Sequence, residues 1–337
     1  YKWWPGNMGH TVNYAIVMAQ LYSQGKHHGL QPFSVQLRDE ETHKPMRGIT
    51  IGDIGNKVGF GTVNNGFLAF SNVKVPLKNR LSKNAKLSED GTFTKPKSAK
   101  LNYGTMVFVR VSIIMDTALY ISKAATIACR YSLVRRQSPI NPNEPEPKII
   151  EHVTQQYKIF PAIAKAVIYR CMAGWLTKLH ETITNEGSTG NLDRFPELHA
   201  LTCCLKAVCS DEATKTIEVC RLSCGGHGYL NSAGLAETYK NATAAQTYEG
   251  ENTVLLLQTS RFLVKAVSQA MKGEKLPPGV SYITNFINRK GKRELFDDSL
   301  NGIIRAVQAA TAGKILSAWK KIELKKKTVS TEQATNQ

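Results

Sequence analysis

Residues 103–136 read YGTMVFVRVSIIMDTALYISKAATIACRYSLVRR, a long stretch without proline. Apolar side chains recur through it at roughly helical spacing, as at Val107, Ile114 and Ile121. A turn signal follows at once, because residues 138–147 are rich in Pro and Asn. The stretch therefore predicts one long helix that starts near residue 100 and ends before this loop.

Similar patterns follow toward the C-terminus. The sequence predicts a second helix over about residues 150–184, with a bend at Pro161, and a third over about 196–223. A fourth long helix is predicted over about residues 252–271. Four long helices joined by shorter connections are typical of an antiparallel bundle.

The first 80 residues have a different pattern. Short apolar or alternating runs cover residues 14–21, 33–37 and 67–75, and glycines punctuate the stretch from 48 to 66. We expect a partial β-barrel or sandwich here. The glycines form neither the Gly-x-Gly-x-x-Gly fingerprint nor a P-loop, which excludes those two nucleotide sites.

The sequence Lys-Leu-Pro-Pro at residues 275–278 marks another boundary. Beyond it a further amphipathic helix is predicted over about residues 300–318, and the polar tail 328–337 is expected to be disordered. The predicted fold class is thus α+β by segments. The predicted domains are residues 1–85 (the C-terminal part of a β-domain), 86–275 (the helical bundle) and 276–337 (the start of a second helical domain).

The chain of 337 residues carries 44 Lys and Arg against 26 Asp and Glu, a net charge of +18. Its hydrophobic fraction of 42% excludes a disordered or fibrous protein. The basic residues are scattered, and the runs at 290–293 and 320–327 contain no interleaved aromatic residues, so we predict a solvated basic face and no nucleic-acid binding. No window approaches the roughly 20 uninterrupted apolar residues of a membrane span, so no integral membrane segment is expected.

Seven cysteines lie mostly in helix-like apolar stretches and form no Cys-x-x-Cys pair. We predict buried free thiols rather than disulfides. The eight histidines show no zinc-like spacing, so no metal site is predicted.

Two segments have compositions that folding alone explains poorly. In Cys-Gly-Gly-His-Gly-Tyr, residues 224–229, a cap and turn would use one glycine, whereas Gly225, Gly226 and Gly228 together would also let a ligand approach the backbone. Both interpretations stay open at this point.

The second segment is Thr-Tyr-Glu-Gly-Glu-Asn-Thr-Val, residues 247–254, just before an apolar helix. A helix N-terminal cap explains Glu251 and Asn252 well but explains Glu249 less well. A carboxylate in an apolar pocket has a raised pKa and is a useful general base near neutral pH. Both glutamates are therefore candidates for a base.

Five motifs in this order resemble the peroxisomal acyl-CoA oxidases of the straight-chain, palmitoyl type, within the acyl-CoA dehydrogenase and oxidase superfamily. The resemblance extends from residue 1 to about 285. The motifs are Trp3-Trp-Pro-Gly6, Thr105-Met-Val-Phe-Val-Arg110, Tyr131-Ser-x-x-Arg135-x-Gln137, Cys224-Gly-Gly-His-Gly-Tyr229 and Tyr248-Glu-Gly-Glu-Asn-Thr-Val254.

The resemblance implies an FAD enzyme that oxidises fatty acyl-CoA to trans-2-enoyl-CoA and passes the electrons to O2, giving H2O2. Glu249 matches the family's catalytic base, which removes the α-proton while a hydride leaves the β-carbon for flavin N5. The backbone N–H at position 249 would polarise the thioester carbonyl, as an oxyanion hole does.

The resemblance also implies the cofactor contacts. Gly6 matches a position beside the flavin, and Arg135 and Gln137 match the segment that reaches the FAD of a neighbouring subunit in a homodimer. Gly225, Gly226 and Gly228 lie where the backbone approaches that cofactor. Competing interpretations are a helix-dipole role for Arg135 and a simple turn for Gly6.

Two rival functions remain. An acyl-CoA dehydrogenase shares fold, FAD and base but uses an electron-transfer flavoprotein, and usually carries Gly-Thr-Ser where this chain has Gly250-Glu251-Asn252. The second rival is a non-catalytic protein of the same fold that binds CoA or lipid. The presence of Glu249, which matches the catalytic base, speaks against this second function.

The chain begins with Tyr1 rather than Met, and we interpret it as part of a longer oxidase that lacks the family's N-terminal domain and C-terminal end. A chain of this extent is expected to bind FAD poorly by itself. A peroxisomal location is implied by the family alone. The chain itself ends in Thr-Asn-Gln and not in Ser-Lys-Leu, the peroxisomal targeting signal.

Overall fold

The computed structural model describes residues 1–83, 85–95, 104–289 and 296–336. The chain divides into two compact units, Tyr1–Tyr103 and Gly104–Gln337. The first contains the described strands and the second the described helices, as the change of pattern near residue 100 predicts. The further predicted boundaries at residues 85 and 275 stay predictions.

The first unit consists of small antiparallel sheets. One sheet has the order β1-β5-β4, while β2 pairs with β3 and β6 with β7. The described strands do not close into a barrel. The strands are β1 (Lys2–Trp3), β2 (Tyr14–Ser23), β3 (Lys26–Gln36), β4 (Ile49–Asp53), β5 (Gly66–Phe70), β6 (Lys86–Leu87) and β7 (Phe93–Thr94).

The hairpin β2–β3 follows from its turn. Gln24 and Gly25 both have positive φ, 50° and 72°, which matches the twist of the flanking strands in a two-residue turn. The apolar core of the unit packs beneath the strands around Val35, Leu37 and Leu68. The predicted β structure of this segment is therefore confirmed, although β3 begins seven residues earlier and β5 ends five residues earlier than the expected runs.

The second unit is helical. Its three longest helices begin and end within a few residues of their predicted bounds, and α2 continues through Pro161. The helices are α1 (Gly104–Val134), α2 (Val153–Ser188), α3 (Phe195–Ser223), α4 (Leu235–Ala244), α5 (Asn252–Met271), α6 (Tyr282–Asn288), α7 (Leu300–Lys325) and α8 (Thr331–Asn336).

Helix α3 lies at the centre of the bundle and packs against α1, α2, α4 and α5. Four of the seven free thiols are buried along it and at its end, at Cys203, Cys209, Cys220 and Cys224. The prediction of buried free thiols is confirmed for these four, whereas Cys171 on α2 is exposed.

The expectation of a disordered tail is wrong for residues 331–336, which form α8. The backbone N–H of Gln333 donates to Ser330 Oγ, and the N–H of Ser330 donates to Gln333 Oε1. This reciprocal pairing is a capping box, a helix-start signal that the polar composition concealed.

Two described helical segments, Val107–Val134 and Val153–Gly187, are long and apolar enough to cross a membrane by length and composition alone. In this structure α1 and α2 pack against each other and against α3. Core helices of water-soluble bundles have the same length and composition.

Candidate active site

Glu249 lies in the turn between α4 and α5, with unusual backbone geometry. Its φ is 56°, and Gly250 follows with a φ of 104°. A left-handed glutamate costs on the order of 1 kcal/mol or more, and such residues cluster at functional sites. The turn begins where the N–H groups of Thr247 and Tyr248 donate to the Ala244 carbonyl at the end of α4.

The Glu249 side chain is half-buried and uncommitted. Among the described residues, its carboxylate accepts no hydrogen bond and forms no ion pair, and its backbone N–H donates to no partner. Only its carbonyl oxygen is held, by Arg110 Nε of α1 at 3.0 Å. A carboxylate without an internal partner is available to a ligand.

Two buried cations anchor the turn from behind. Arg110, 4% exposed, holds the Glu249 carbonyl and directs its Nη1 to Cys203 Sγ at 3.4 Å. Lys206 of α3 is fully buried and donates from Nζ to the Gly250 carbonyl at 2.7 Å. Within the described part of the chain neither cation has a carboxylate at ion-pair distance, although Glu251 and Glu249 attract the Lys206 charge from further away.

The pKa of Lys206 is lowered to about 8, chiefly by burial and also by the nearby Arg110 charge, while Glu251 and Glu249 oppose the shift. Arg110 belongs to one of the five sequence motifs, but no role was predicted for it, and Lys206 was not predicted as a site residue. A lone lysine in the apolar run Cys203-Cys-Leu-Lys-Ala-Val-Cys209 was the available signal.

Glu251 has a different role from Glu249. Its carboxylate caps α5 by accepting from the N–H groups of Thr253, at 2.9 Å, and Val254, at 3.3 Å. These hydrogen bonds, with that of the Thr253 backbone the largest effect, lower the pKa of Glu251. A carboxylate already used as a cap is a poor candidate for a base, which favours Glu249.

Two residues of α1, Asp116 and Tyr120, act electrostatically on Tyr248 of the turn. Burial raises the pKa of Tyr248 to about 12, with smaller contributions from Tyr120, Asp116 and Glu249. Burial also raises the pKa of Asp116 on α1. Sequence reasoning missed Asp116 and Tyr120, since nothing in their local pattern links them to the turn.

The glycine segment forms a 3₁₀ turn, Gly225–Tyr229, after α3. Gly225 has a φ of 59°, and a Cβ on Gly228 would lie 2.1 Å from the Arg221 carbonyl oxygen. Turn geometry and close packing therefore account for these two glycines. Gly226 is exposed, and a Cβ there would meet nothing within 4 Å, so its α-carbon faces open space.

Arg135 and Gln137 lie just beyond α1 and are exposed. Arg135 Nη2 donates to Gln137 Oε1 at 3.1 Å. One turn earlier on α1, the Tyr131 hydroxyl lies 3.1 Å from His227 Nδ1 in the glycine turn. This contact brings the predicted Arg135, Gln137 and Gly226 positions to the same end of the bundle.

Gly6 belongs to the other unit, where Trp4 and Asn7 have positive φ, 107° and 58°. Gly6 itself does not, and a Cβ there would meet nothing within 4 Å. The neighbouring Trp3 stacks on Phe67 with ring centroids 5.5 Å apart. The role of Gly6 beside a flavin stays a prediction.

Among the described residues, no group of three or more His, Cys, Asp or Glu side chains is arranged to hold a metal ion. The prediction that the protein binds no metal rests on the sequence.

Residues 103–264 match the family model of the acyl-CoA oxidase C-alpha1 domain. Acyl-coenzyme A oxidase 1 of Drosophila melanogaster is 55% identical over 337 residues, all of this chain and 50% of that protein. Human peroxisomal acyl-coenzyme A oxidase 1 is 48% identical over 289 residues, 86% of this chain and 44% of that protein.

Among solved structures, acyl-CoA oxidase-2 of Caenorhabditis elegans bound with FAD, ascaroside-CoA and ATP matches with a TM-score of 0.94 and 38% identity. The match covers 99% of this chain and 50% of that one. The chain thus spans about half the length of the relatives it matches. The family model matches most of the helical bundle, and the similarity to the Drosophila oxidase extends over all 337 residues of the chain. The chain therefore belongs to the acyl-CoA oxidase family.

Proposed function

We propose that this chain supplies the catalytic base and part of the cofactor site of an acyl-CoA oxidase. The enzyme would convert fatty acyl-CoA and O2 into trans-2-enoyl-CoA and H2O2. The observation that carries the proposal is the uncommitted Glu249 carboxylate on a strained turn that buried cations hold in place. Its named relatives are acyl-CoA oxidases, and the similar acyl-CoA oxidase-2 of Caenorhabditis elegans was solved with FAD, ascaroside-CoA and ATP bound.

The α-proton of a thioester is only weakly acidic, so its removal needs both a base and stabilisation of the developing enolate. Glu249 takes the α-proton onto its carboxylate. Its own backbone N–H, which donates to no described residue, would hold the thioester oxygen as charge develops there. The buried charges of Arg110 and Lys206 behind the turn favour that negative charge.

The exposed groups at the end of α1 fit FAD. A guanidinium and an amide side by side, Arg135 and Gln137, suit a pyrophosphate, and the open backbone at Gly226 admits close approach. FAD, when bound, supplies the acceptor for the β-hydride and returns the two electrons to O2. Because Arg135, Gln137 and Gly226 lie on an exposed face, we propose that they serve the cofactor of a second copy in a homodimer.

We also propose a peroxisomal location, since the similar human protein is named for that compartment. This proposal concerns the whole oxidase. The chain's own residues contribute no argument to it.

The base assignment is tested with Glu249→Gln in the gene product purified with its FAD. Oxidation of palmitoyl-CoA, followed as peroxide release in air, is expected to fall at least about 100-fold, because general-base catalysis contributes about that much or more. FAD absorbance should not change. Glu251→Gln, the neighbouring glutamate, should keep most of the activity.

Full activity of Glu249→Gln would refute the mechanism. Oxidation of acyl-CoA that proceeds only with an electron-transfer flavoprotein, without peroxide, would identify a dehydrogenase instead. Tight binding of acyl-CoA without any oxidation would identify a non-catalytic relative.

A further inference from the structure

Among the described residues, Lys206 heads the fully buried side chains in size, and it is the one of them that carries a charge. Lysine is almost never fully buried without a partner of opposite charge, because removing the ammonium group from water is costly. Among the described residues no carboxylate lies at ion-pair distance from its Nζ. The fold therefore retains this charge at a cost in stability, which calls for a reason at the site it faces.

The ammonium group of Lys206 donates its hydrogen bonds to the turn that carries Glu249. Nζ donates to the Gly250 carbonyl at 2.7 Å and to Asn252 Oδ1 at 3.0 Å. Asn252 is itself fixed to α3, since its Nδ2 donates to the Ala207 carbonyl at 3.2 Å and to Ser210 Oγ at 3.0 Å. The turn is thus clamped to one face of α3 on both sides of Glu251.

The backbone needs such a clamp. Glu249 and Gly250 both have positive φ, and a glutamate in that region relaxes unless the surroundings hold it. Arg110 fixes the carbonyl of Glu249 from α1, and Lys206 fixes the next carbonyl from α3. With both carbonyls turned toward the bundle, the N–H of Glu249 and its carboxylate are left for the thioester.

The groups that face Lys206 have mixed charges. Arg110 from α1 repels the ammonium group, Glu249 and Glu251 from the turn attract it, and Cys203 from its own helix is a neutral thiol neighbour whose pKa is raised by burial.

We propose that Lys206 is a positioning residue for the Glu249 base, acting through the carbonyl of Gly250 and the side chain of Asn252. The proposal rests on the proposed function of Glu249. The substrate meets Glu249, while Lys206 sets the direction in which its carboxylate and N–H point.

The test compares Lys206→Met with Lys215→Met in the gene product purified with its FAD. Methionine keeps the length and apolar stem but removes the donor. Lys215 is the matched control, because it lies on the same helix, is exposed, and among the described residues forms an ion pair with Asp211 alone, at 2.6 Å. The measurements are kcat and KM for palmitoyl-CoA per bound FAD, and exchange of the substrate's α-hydrogens with deuterated water.

We expect Lys206→Met to lower kcat at least tenfold and α-hydrogen exchange in parallel, with KM changed less than about threefold. Lys215→Met should match the wild type. A kcat per bound FAD within threefold of the wild type would overturn the proposal, because Lys206 would then serve only stability. Glu249→Gln, measured alongside, separates the two ideas, since an active Glu249→Gln refutes the base itself.

If Lys206→Met does not accumulate as folded protein, the pH profile of the wild type decides. Lys206 loses its proton as the pH rises through about 8, and the neutral amine makes weaker hydrogen bonds to both acceptors. We then expect kcat to fall as the pH rises from 7 to 9.5 at saturating substrate. A kcat that stays level over that range would overturn the proposal.

Discussion

At the scale of single residues, the glycine turn Gly225–Tyr229 separates structural from functional glycines. Gly228 is buried against the Arg221 carbonyl, whereas Gly226 faces open space. Sequence composition alone could not make this distinction, because all three glycines looked equally suited to a ligand. The packing shows that only Gly226 lacks an internal reason to be glycine.

We therefore expect Gly228→Ala to destabilise the protein by about 1–3 kcal/mol, since a Cβ 2.1 Å from the Arg221 oxygen forces the backbone to move. Gly226→Ala should change stability by less than about 0.5 kcal/mol. Urea unfolding of the two variants checks this. FAD content should nevertheless fall in Gly226→Ala, and equal stability losses in both variants would contradict the distinction.

Also at the residue scale, the sequence predicted Glu249 but not its supports. The motif around residues 247–254 carries the carboxylate, the glycine and the cap in one local stretch. Arg110 lies 139 positions away and Lys206 lies 44 positions from Gly250. Contacts of that separation depend on how helices pack, which local pattern does not encode.

At the scale of elements, helix bounds were largely predictable because their signals are local. The proline-rich loop follows the end of α1, and Glu251, which caps α5, directly precedes the first residue of that helix. The short helices α4 and α8 were missed because few apolar residues mark them. The interpretation of Glu251 as a cap became specific only with the hydrogen bonds that it accepts from the N–H groups of Thr253 and Val254.

The cap gives α5 a pH-dependent stability. Hydrogen bonds from the N–H groups of Thr253 and Val254 lower the pKa of Glu251 below its ordinary value of 4.5. A carboxyl group whose pKa is depressed in the folded state contributes stability above its unfolded pKa, and loses it as the pH falls through the folded pKa. The contribution is therefore complete at pH 7 and is lost in acid, below pH 4.5.

We expect Glu251→Gln to lower the midpoint of thermal unfolding at pH 7, and the difference from the wild type to shrink as the pH falls below 4.5. Glu144→Gln is the control, because Glu144 is exposed in the loop before α2 and its side chain has no hydrogen-bond partner among the described residues. A constant difference between Glu251→Gln and the wild type from pH 7 to pH 3 would contradict the charged cap.

At the scale of the whole molecule, the open question is whether residues 276–337 are a domain of their own. The proline pair at 277–278 suggested a boundary from sequence. In the structure, Ile283 of α6 and Trp319 of α7 pack into one cluster with Val267 of α5, and Trp319 Nε1 donates to Ser268 Oγ at 2.8 Å. Shared apolar burial of this kind couples segments into one cooperative unit.

We therefore expect Ile283→Ala to destabilise the whole helical unit by about 2–5 kcal/mol, because Ile283 is 1% exposed and its removal leaves a cavity. Two probes of urea unfolding test the coupling, the fluorescence of Trp319, with Trp3, Trp4 and Trp175 replaced by Phe, and the helical circular dichroism of the chain. Both midpoints should coincide and move together in the variant. If the Trp319 transition moves to lower urea while most of the helical signal of the chain keeps its midpoint, residues 276–337 unfold independently and the predicted third domain is real.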